Sequence, residues 1–151
     1  MRSVIVYTSV HHNNTEKVAR AMGGALGAEV VRAADATAET VAPADLAGFG
    51  SGIYFNSHHK TLLAFAEGLP DRPSGSGRAF VFSTSGRGGT GSHRRLKEIL
   101  AKKGYTIAGE FACKGWDTYS IFKYIGGLNK GRPDGDDLEK AAAFARGLAG
   151  S

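Results

Sequence analysis

The chain has 151 residues, of which 42% are apolar, and it contains one cysteine. This length and apolar content fit one compact domain, so we expect residues 1–151 to fold as a single unit. The longest apolar runs fall far below the roughly 20 residues that span a bilayer. Because the N-terminus also lacks a signal-peptide pattern, we expect a cytoplasmic protein without membrane insertion. The lone Cys113 cannot form an internal disulfide and is expected to be a buried strand residue.

The formal net charge is +5 and the pI is about 9.5, which raises the question of nucleic-acid binding. Arginine and lysine are scattered, and in the stretch "HRRLKEILAKK" they are interleaved with acids, as on a solvated helix face. No nucleic-acid recognition motif accompanies them. The charge pattern therefore predicts no nucleic-acid partner.

Strands and helices alternate along the chain. Short β-branched and aromatic runs without polar alternation are typical of strands buried on both faces of a parallel sheet. Apolar residues at helical spacing followed by glycine indicate helices. In chain order the sequence predicts a strand at 3–8, a helix at 15–26 closed by Gly27, a strand at 28–33, a loop with a short helix at 35–47, a strand at 49–55, a helix at 58–70, a strand at 78–85, a helix at 92–104, a strand at 105–115, an irregular segment at 116–135 and a helix at 136–149.

Five strands that alternate with helices predict a three-layer α/β sandwich around a mainly parallel sheet, since each right-handed crossover covers one face. Ligands of such sheets bind beyond the carboxyl ends of the strands. Four predicted loops lie there, with the sequences "SVHHNNT", "NSHH", "TSGRGGTGS" and "KGWDTYS". They hold four of the five histidines, the only tryptophan and a glycine-rich run, so the sequence predicts the binding site at this edge.

The first of these loops suits a phosphate group. Hydroxyl and amide residues at a helix N-terminus can bind a phosphate dianion without lysine, and Ser9, Asn13, Asn14 and Thr15 are such residues. An ordinary helix cap is the alternative, because Asn13 stands three residues before Glu16, the spacing of a capping box. Asparagine also accepts a left-handed backbone. The loop has neither a GxGxxG nor a GxxxxGK[ST] pattern, which argues against dinucleotides and nucleoside triphosphates.

Four segments together resemble the flavodoxin family: "VIVYTSVHHNNTEKVARAM", "GSGIYFNSHHKTLLAF", "AFVFSTSGRGG" and "FACKGWDTY…GGLNKGRPDGDDLEKA". The resemblance covers nearly the whole chain and implies a five-stranded parallel sheet of order 2-1-3-4-5 with helices on both faces. It also implies one non-covalent FMN, with a phosphate loop at 9–15 and ring loops at 54–58 and 83–89. The residues assigned to FMN are Ser9, Val10, His11, His12, Asn13, Asn14, Thr15, Tyr54, Phe55, Asn56, Ser57, His58, Thr84, Ser85, Gly86, Arg87, Gly88 and Trp116.

Individual roles follow from residue type. Tyr54, Phe55 or Trp116 could sandwich the isoalloxazine ring, although aromatics that end strands also serve as packing residues. Asn56 stands where close relatives often have glycine, as Asn13 does in the phosphate loop. Both asparagines tolerate positive φ, so we expect FMN binding to survive these substitutions.

The histidine pairs at 11–12 and 58–59 suggest a metal site as an alternative, since imidazole binds zinc, copper or nickel. Adjacent side chains rarely point the same way, and no carboxylate or thiol completes the set. We therefore expect no metal. One histidine of each pair should face the cofactor edge while the other faces solvent or caps a helix, and His93 should be exposed in the first turn of its helix.

These features favour an FMN-binding one-electron carrier between a reductase and an acceptor, both unidentified. Two other functions remain open: an FMN-dependent oxidoreductase of the quinone or porphyrinogen type, and a binding or regulatory module that has lost FMN. Soluble flavodoxin carriers are typically acidic. A chain with a pI of about 9.5 should therefore have other redox partners.

Overall fold

A computed structural model describes residues 1–10, 13–115 and 131–150. Most of the predicted irregular segment at 116–135 lies outside these residues. Across the described part of the chain, no helix is long and apolar enough to cross a membrane.

A parallel sheet forms the middle layer of the molecule. Its strands are β1 (Ser3–Thr8), β2 (Glu29–Arg32), β3 (Leu46–Tyr54), β4 (Ser57–His58), β5 (Gly77–Ser85) and β6 (Tyr105–Lys114). The order is β2-β1-β3-β5-β6 with every neighbour parallel, while β4 pairs antiparallel with the end of β3. The predicted α/β class and strand order are confirmed, with β4 as an additional strand that the sequence did not predict.

Helices cover both faces of this sheet. They are α1 (Asn14–Leu26), α2 (Ala38–Val41), α3 (Lys60–Glu67), α4 (Arg94–Lys102) and α5 (Gly135–Ala149). On one face Ile5 and Tyr7 of β1 belong to one core cluster with residues of α1 and α5. On the other face Val4 and Val6 of the same strand belong to a second cluster with residues of α2, α3 and α4. Both faces of β1 are therefore buried, which explains its unbroken apolar run.

The third strand begins earlier than predicted, at Leu46 instead of Phe49. Its residues Gly48 and Gly50 lie under the rings of Phe80 and Phe82, and a Cβ on either glycine would sit 2.2 or 2.3 Å from a ring carbon. Glycine lowers strand propensity, but here it lets two large rings lie directly on the neighbouring strand. Because Gly48 has a low strand propensity, the sequence does not indicate that β3 begins before Phe49.

Two predicted helices start too early. Helix α3 begins at Lys60 instead of residue 58, because Ser57 and His58 pair with Tyr54 and Ile53 in β3. Helix α4 begins at Arg94 instead of residue 92, with His93 as its N-cap. The predicted end of the first helix at Gly27 is confirmed as a C-cap. Helix α3 ends at Glu67, with Gly68 as its C-cap, instead of extending to residue 70.

Candidate functional site

The loops that follow β1, β3 and β5 lie at the carboxyl edge of the sheet, because these three strands are parallel neighbours. A buried contact of 2.9 Å between the hydroxyls of Thr15 and Thr84 ties the start of α1 to the end of β5. Gly115, just after β6, lies so close to Asn14 that a Cβ there would sit 2.7 Å from its Nδ2. The start of α1 is therefore closely packed against the ends of β5 and β6 at this edge.

The turn before α1 has the backbone, but not the cap, that the sequence predicts. Asn13 adopts a left-handed conformation with φ 55°, as expected of an asparagine, but its side chain makes no cap hydrogen bond. The Glu16 backbone N–H donates instead to Ser9 Oγ at 3.3 Å, and the Glu16 carboxylate accepts from the Tyr7 hydroxyl at 2.6 Å. The predicted capping box between Asn13 and Glu16 is wrong, because the left-handed backbone leaves the capping to Ser9.

Thr8 is a candidate that sequence reasoning missed. It ends β1 directly before the predicted phosphate loop, and its Oγ1 is buried with no hydrogen-bond partner among the described residues. A buried hydroxyl without a partner costs about 1–3 kcal/mol, so such an atom at the edge of a binding loop fits a ligand oxygen. The only signal in the sequence was a hydroxyl residue at the end of an apolar run.

The loop after β3 is a tight hairpin. Tyr54 pairs with Ser57, and the two residues between them, Phe55 and Asn56, have φ of 51° and 62°. Positive φ at both central residues is the backbone of a type I′ turn. Asn56 accepts this conformation as predicted, whereas for a bulky residue such as Phe55 the left-handed backbone costs about 1–2 kcal/mol. The Phe55 side chain is 96% exposed at the tip of the turn.

The loop after β5 has a fixed start and an exposed cation. Ser85 Oγ accepts from the Gly88 backbone N–H at 2.8 Å. Gly88 has φ 74°, and a Cβ there would lie 2.9 Å from the Cγ of Lys114. Arg87, between these anchors, is exposed. Its guanidinium is thus presented to solvent at the edge where the other two loops end.

His59 has one of the two roles predicted for its pair. Its Nδ1 accepts from the Thr61 backbone N–H at 3.0 Å and so caps α3. Its ring also makes an edge-on contact with Tyr54, with 5.2 Å between centroids. The imidazole therefore joins the ring of the candidate flavin residue Tyr54 to the start of α3.

His58, in contrast, is turned into the protein. Its Nε2–H donates to the Phe82 carbonyl at 2.9 Å, and its Nδ1 is buried without a partner among the described residues. Its ring lies 5.0 Å from that of His93. Burial lowers the pKa of His58 to about 4, against the opposing effect of the Phe82 carbonyl. A neutral imidazole thus fastens β4, and with it the hairpin, to β5.

His93 differs most from its prediction. It is fully buried and not exposed: Nε2 lies 2.6 Å from Ser83 Oγ, and Nδ1 lies 3.1 Å from Glu110 Oε2. Lys97 Nζ reaches the same carboxylate oxygen at 3.1 Å. Although this is a serine–histidine–glutamate chain, Ser83 is also fully buried, so the chain acts as a polar core contact between β5, α4 and β6. Burial lowers the pKa of His93 as well.

Three predicted site residues, His11, His12 and Trp116, lie outside the described residues. Within residues 1–10, 13–115 and 131–150, no group of three or more histidine, cysteine or carboxylate side chains is placed to hold a metal. Cys113 is buried in β6 as predicted, and burial raises the pKa of its thiol to about 12.

Known proteins resemble this chain in sequence and in architecture. No family model matches the chain. It is 42% identical over 150 residues to the uncharacterized protein MJ0298 of Methanocaldococcus jannaschii, covering 98% of each. A short-chain flavodoxin associated with a non-canonical PDU bacterial microcompartment matches with TM-score 0.73 and 17% identity, over 99% of this chain and 98% of that one. Two-electron reduced Megasphaera elsdenii flavodoxin matches with TM-score 0.65 and 21% identity, over 94% and 98%.

Proposed function

The chain belongs to the same family as the Methanocaldococcus jannaschii protein and has the flavodoxin-like fold. From this premise we propose that it binds one FMN at the carboxyl edge of its sheet and carries single electrons. The observation that carries the proposal is the buried hydroxyl of Thr8, which has no partner among the described residues. A ligand oxygen at the loop after β1 would satisfy this hydroxyl.

The phosphate is proposed to lie in the loop from Ser9 to Thr15. Asn13 turns the chain through a left-handed conformation there, so that the loop leads directly into α1. The N-terminus of a helix favours an anion through its backbone N–H groups and its dipole. The hydroxyls of Thr15 and Thr84 are already paired with each other, so Thr8 is the better candidate for a direct contact.

The isoalloxazine ring is proposed to lie between the hairpin after β3 and the loop after β5. Tyr54 supplies an aromatic ring held edge-on by His59, and Asn56, Ser57, Ser85 and Gly86 supply backbone groups. When bound, FMN would supply the capacity to accept and release electrons one at a time. The chain itself would bind and orient the ring, and the bond from His58 to Phe82 would keep the hairpin in place.

Titration with two flavins tests the proposal. FMN added to the purified protein is expected to bind one to one, with quenching of its fluorescence. Thr8→Val keeps the shape of the side chain and removes the hydroxyl, so it should weaken FMN binding by about tenfold, the value of one hydrogen bond. Riboflavin has the same ring and no phosphate. Its affinity should be the same for the parent and Thr8→Val proteins if Thr8 holds the phosphate.

Thr106→Val is the matched control, because Thr106 is exposed in β6 and lies near its amino end. This control should bind FMN as the parent does. Absence of saturable FMN binding would refute the proposed function. Equal FMN affinity for the parent and Thr8→Val proteins would instead refute the role of Thr8 while leaving FMN binding in place.

A further inference from the structure

The carboxylate of Glu16 is not where a glutamate at its position usually lies. Glu16 stands in the first turn of α1, three residues after the N-cap Asn13. A glutamate there ordinarily reaches back to the backbone N–H of the N-cap residue, as one half of a capping box. In this protein the carboxylate accepts instead from the Tyr7 hydroxyl at 2.6 Å. The anion that would normally occupy the start of α1 is therefore held by the neighbouring strand β1.

Tyr7 holds this carboxylate from a fixed position. Its side chain is 2% exposed and belongs to the core cluster shared with α1 and α5, and its backbone pairs with β2 and β3 on either side. A ring packed in this way cannot move without opening the core. Burial and, after it, the bond to Glu16 raise the pKa of Tyr7, so the hydroxyl keeps its proton and donates at neutral pH.

Two arginines favour the same position of the carboxylate. Arg20 Nη2, one helical turn further along α1, lies 3.7 Å from Glu16 Oε1. Arg32 is the register partner of Tyr7 in β2, and its bond to the Tyr7 hydroxyl, followed by the charges of Tyr7 and Glu16, raises the pKa of its guanidinium. Exposed contacts of this kind contribute little individually. Both nevertheless draw the Glu16 carboxylate towards Tyr7.

The backbone of Glu16 is bound to the other side of the same turn. Its N–H donates to Ser9 Oγ at 3.3 Å. Of three consecutive residues at the end of β1, Tyr7 and Ser9 thus bind Glu16, whereas the buried hydroxyl of Thr8 between them has no partner among the described residues. The contacts of Glu16 fix the turn and leave Thr8 for a ligand oxygen.

We propose that Tyr7 is a positioning residue of the phosphate site, which holds the Glu16 carboxylate on β1 and so keeps the start of α1 open for a phosphate. This rests on the proposed function, since it concerns the phosphate half of the same site. A released carboxylate in the first turn would compete with the phosphate, because both anions are attracted by the same N–H groups and the same helix dipole. Tyr7 removes this competitor by binding it.

A double-mutant cycle of Tyr7→Phe and Glu16→Ala tests the proposal, with FMN and inorganic phosphate as separate probes in calorimetry of the full chain. Tyr7→Phe keeps the buried ring and removes only the hydroxyl. FMN binding should weaken by about fivefold, because the carboxylate no longer gives up a hydrogen bond when it moves to the helix start. In the Glu16→Ala protein no carboxylate competes, so adding Tyr7→Phe should change the FMN affinity by less than about twofold.

Tyr105→Phe is the matched control. It also removes a hydroxyl from a tyrosine of low exposure, one that accepts from Arg72 Nη1 at 3.0 Å at the start of β6, at the opposite edge of the sheet. This variant should bind FMN within about twofold of the parent. Riboflavin, which has the same ring and no phosphate, should bind equally well to the parent and Tyr7→Phe proteins.

A loss of FMN affinity that persists when Tyr7→Phe is added to Glu16→Ala would overturn the proposal, because Tyr7 would then not act through Glu16. Equal FMN affinity for the parent and Tyr7→Phe proteins would also overturn it, as would an equal loss for riboflavin. These outcomes leave FMN binding in place. The expected pattern with inorganic phosphate, in a protein that does not bind FMN, would refute the proposed function alone. Binding of neither probe would refute both.

Discussion

Replacing His58 with glutamine isolates the effect of one buried imidazole on stability as a function of pH. Burial lowers the pKa of His58 from 6.5 to about 4, and its exposed fraction is 2%. The unfolded chain therefore takes up a proton at higher pH than the folded chain. The contribution of neutral His58 to the free energy of unfolding is therefore complete above pH 6.5, and it is lost progressively as the pH falls towards 4.

The size of the loss follows from the shift. A shift of about 2.5 pKa units corresponds to about 3 kcal/mol when titration is complete, and to about 2 kcal/mol at pH 5. Glutamine does not titrate and can still donate to the Phe82 carbonyl. Between pH 7.5 and pH 5, the parent should therefore lose about 2 kcal/mol more than His58→Gln.

Urea unfolding of both proteins at the two pH values measures this difference. His59 and His93, whose pKa values are also lowered by burial, remain in both proteins, so the comparison removes their contribution. An equal loss of unfolding free energy in the parent and the variant would refute the reasoning, because it would mean that His58 takes up its proton as easily when folded as when unfolded.

Three other predictions concern packing, strain and reactivity. Gly50→Ala should destabilise the protein by about 1–3 kcal/mol in urea unfolding, since the new Cβ would lie 2.3 Å from the Phe82 ring. The control Gly147→Ala has open space around the new Cβ in α5 and should stabilise the protein by up to about 1 kcal/mol. Phe55→Gly should raise the free energy of unfolding by about 1 kcal/mol by relieving positive φ; a lower value would show that the ring stabilises the fold. Cys113, with its pKa raised to about 12, should react with a disulfide reagent only on unfolding, and rapid native labelling at pH 8 would contradict its burial.

The sequence predicts the architecture because its signals are local. The run from Val4 to Tyr7 is apolar and buried throughout, and the longer crossover helices α1, α3 and α4 each have apolar residues at helical spacing. The left-handed backbone at Asn13 and Asn56 was also predictable, since it depends on residue type.

The polar interior was not predictable in the same way. The stretch "SHRR" around His93 indicates an exposed helix start. The residues that contact the His93 imidazole in the interior, Ser83 and Glu110, lie 10 and 17 positions away in the sequence. Strand β4 has two residues, too few for any periodic pattern. The hydroxyl of Thr8 becomes a candidate only when its lack of a partner is seen in three dimensions.

The most direct test of the account is a spectral titration of the purified protein with FMN, followed by stepwise reduction of the complex. The account predicts saturation at one FMN per chain, a shift of the absorbance band near 450 nm, and reduction in two distinct one-electron stages. A titration without saturation, with the FMN spectrum unchanged by the protein, would contradict the claim that the carboxyl edge of this sheet is an FMN site.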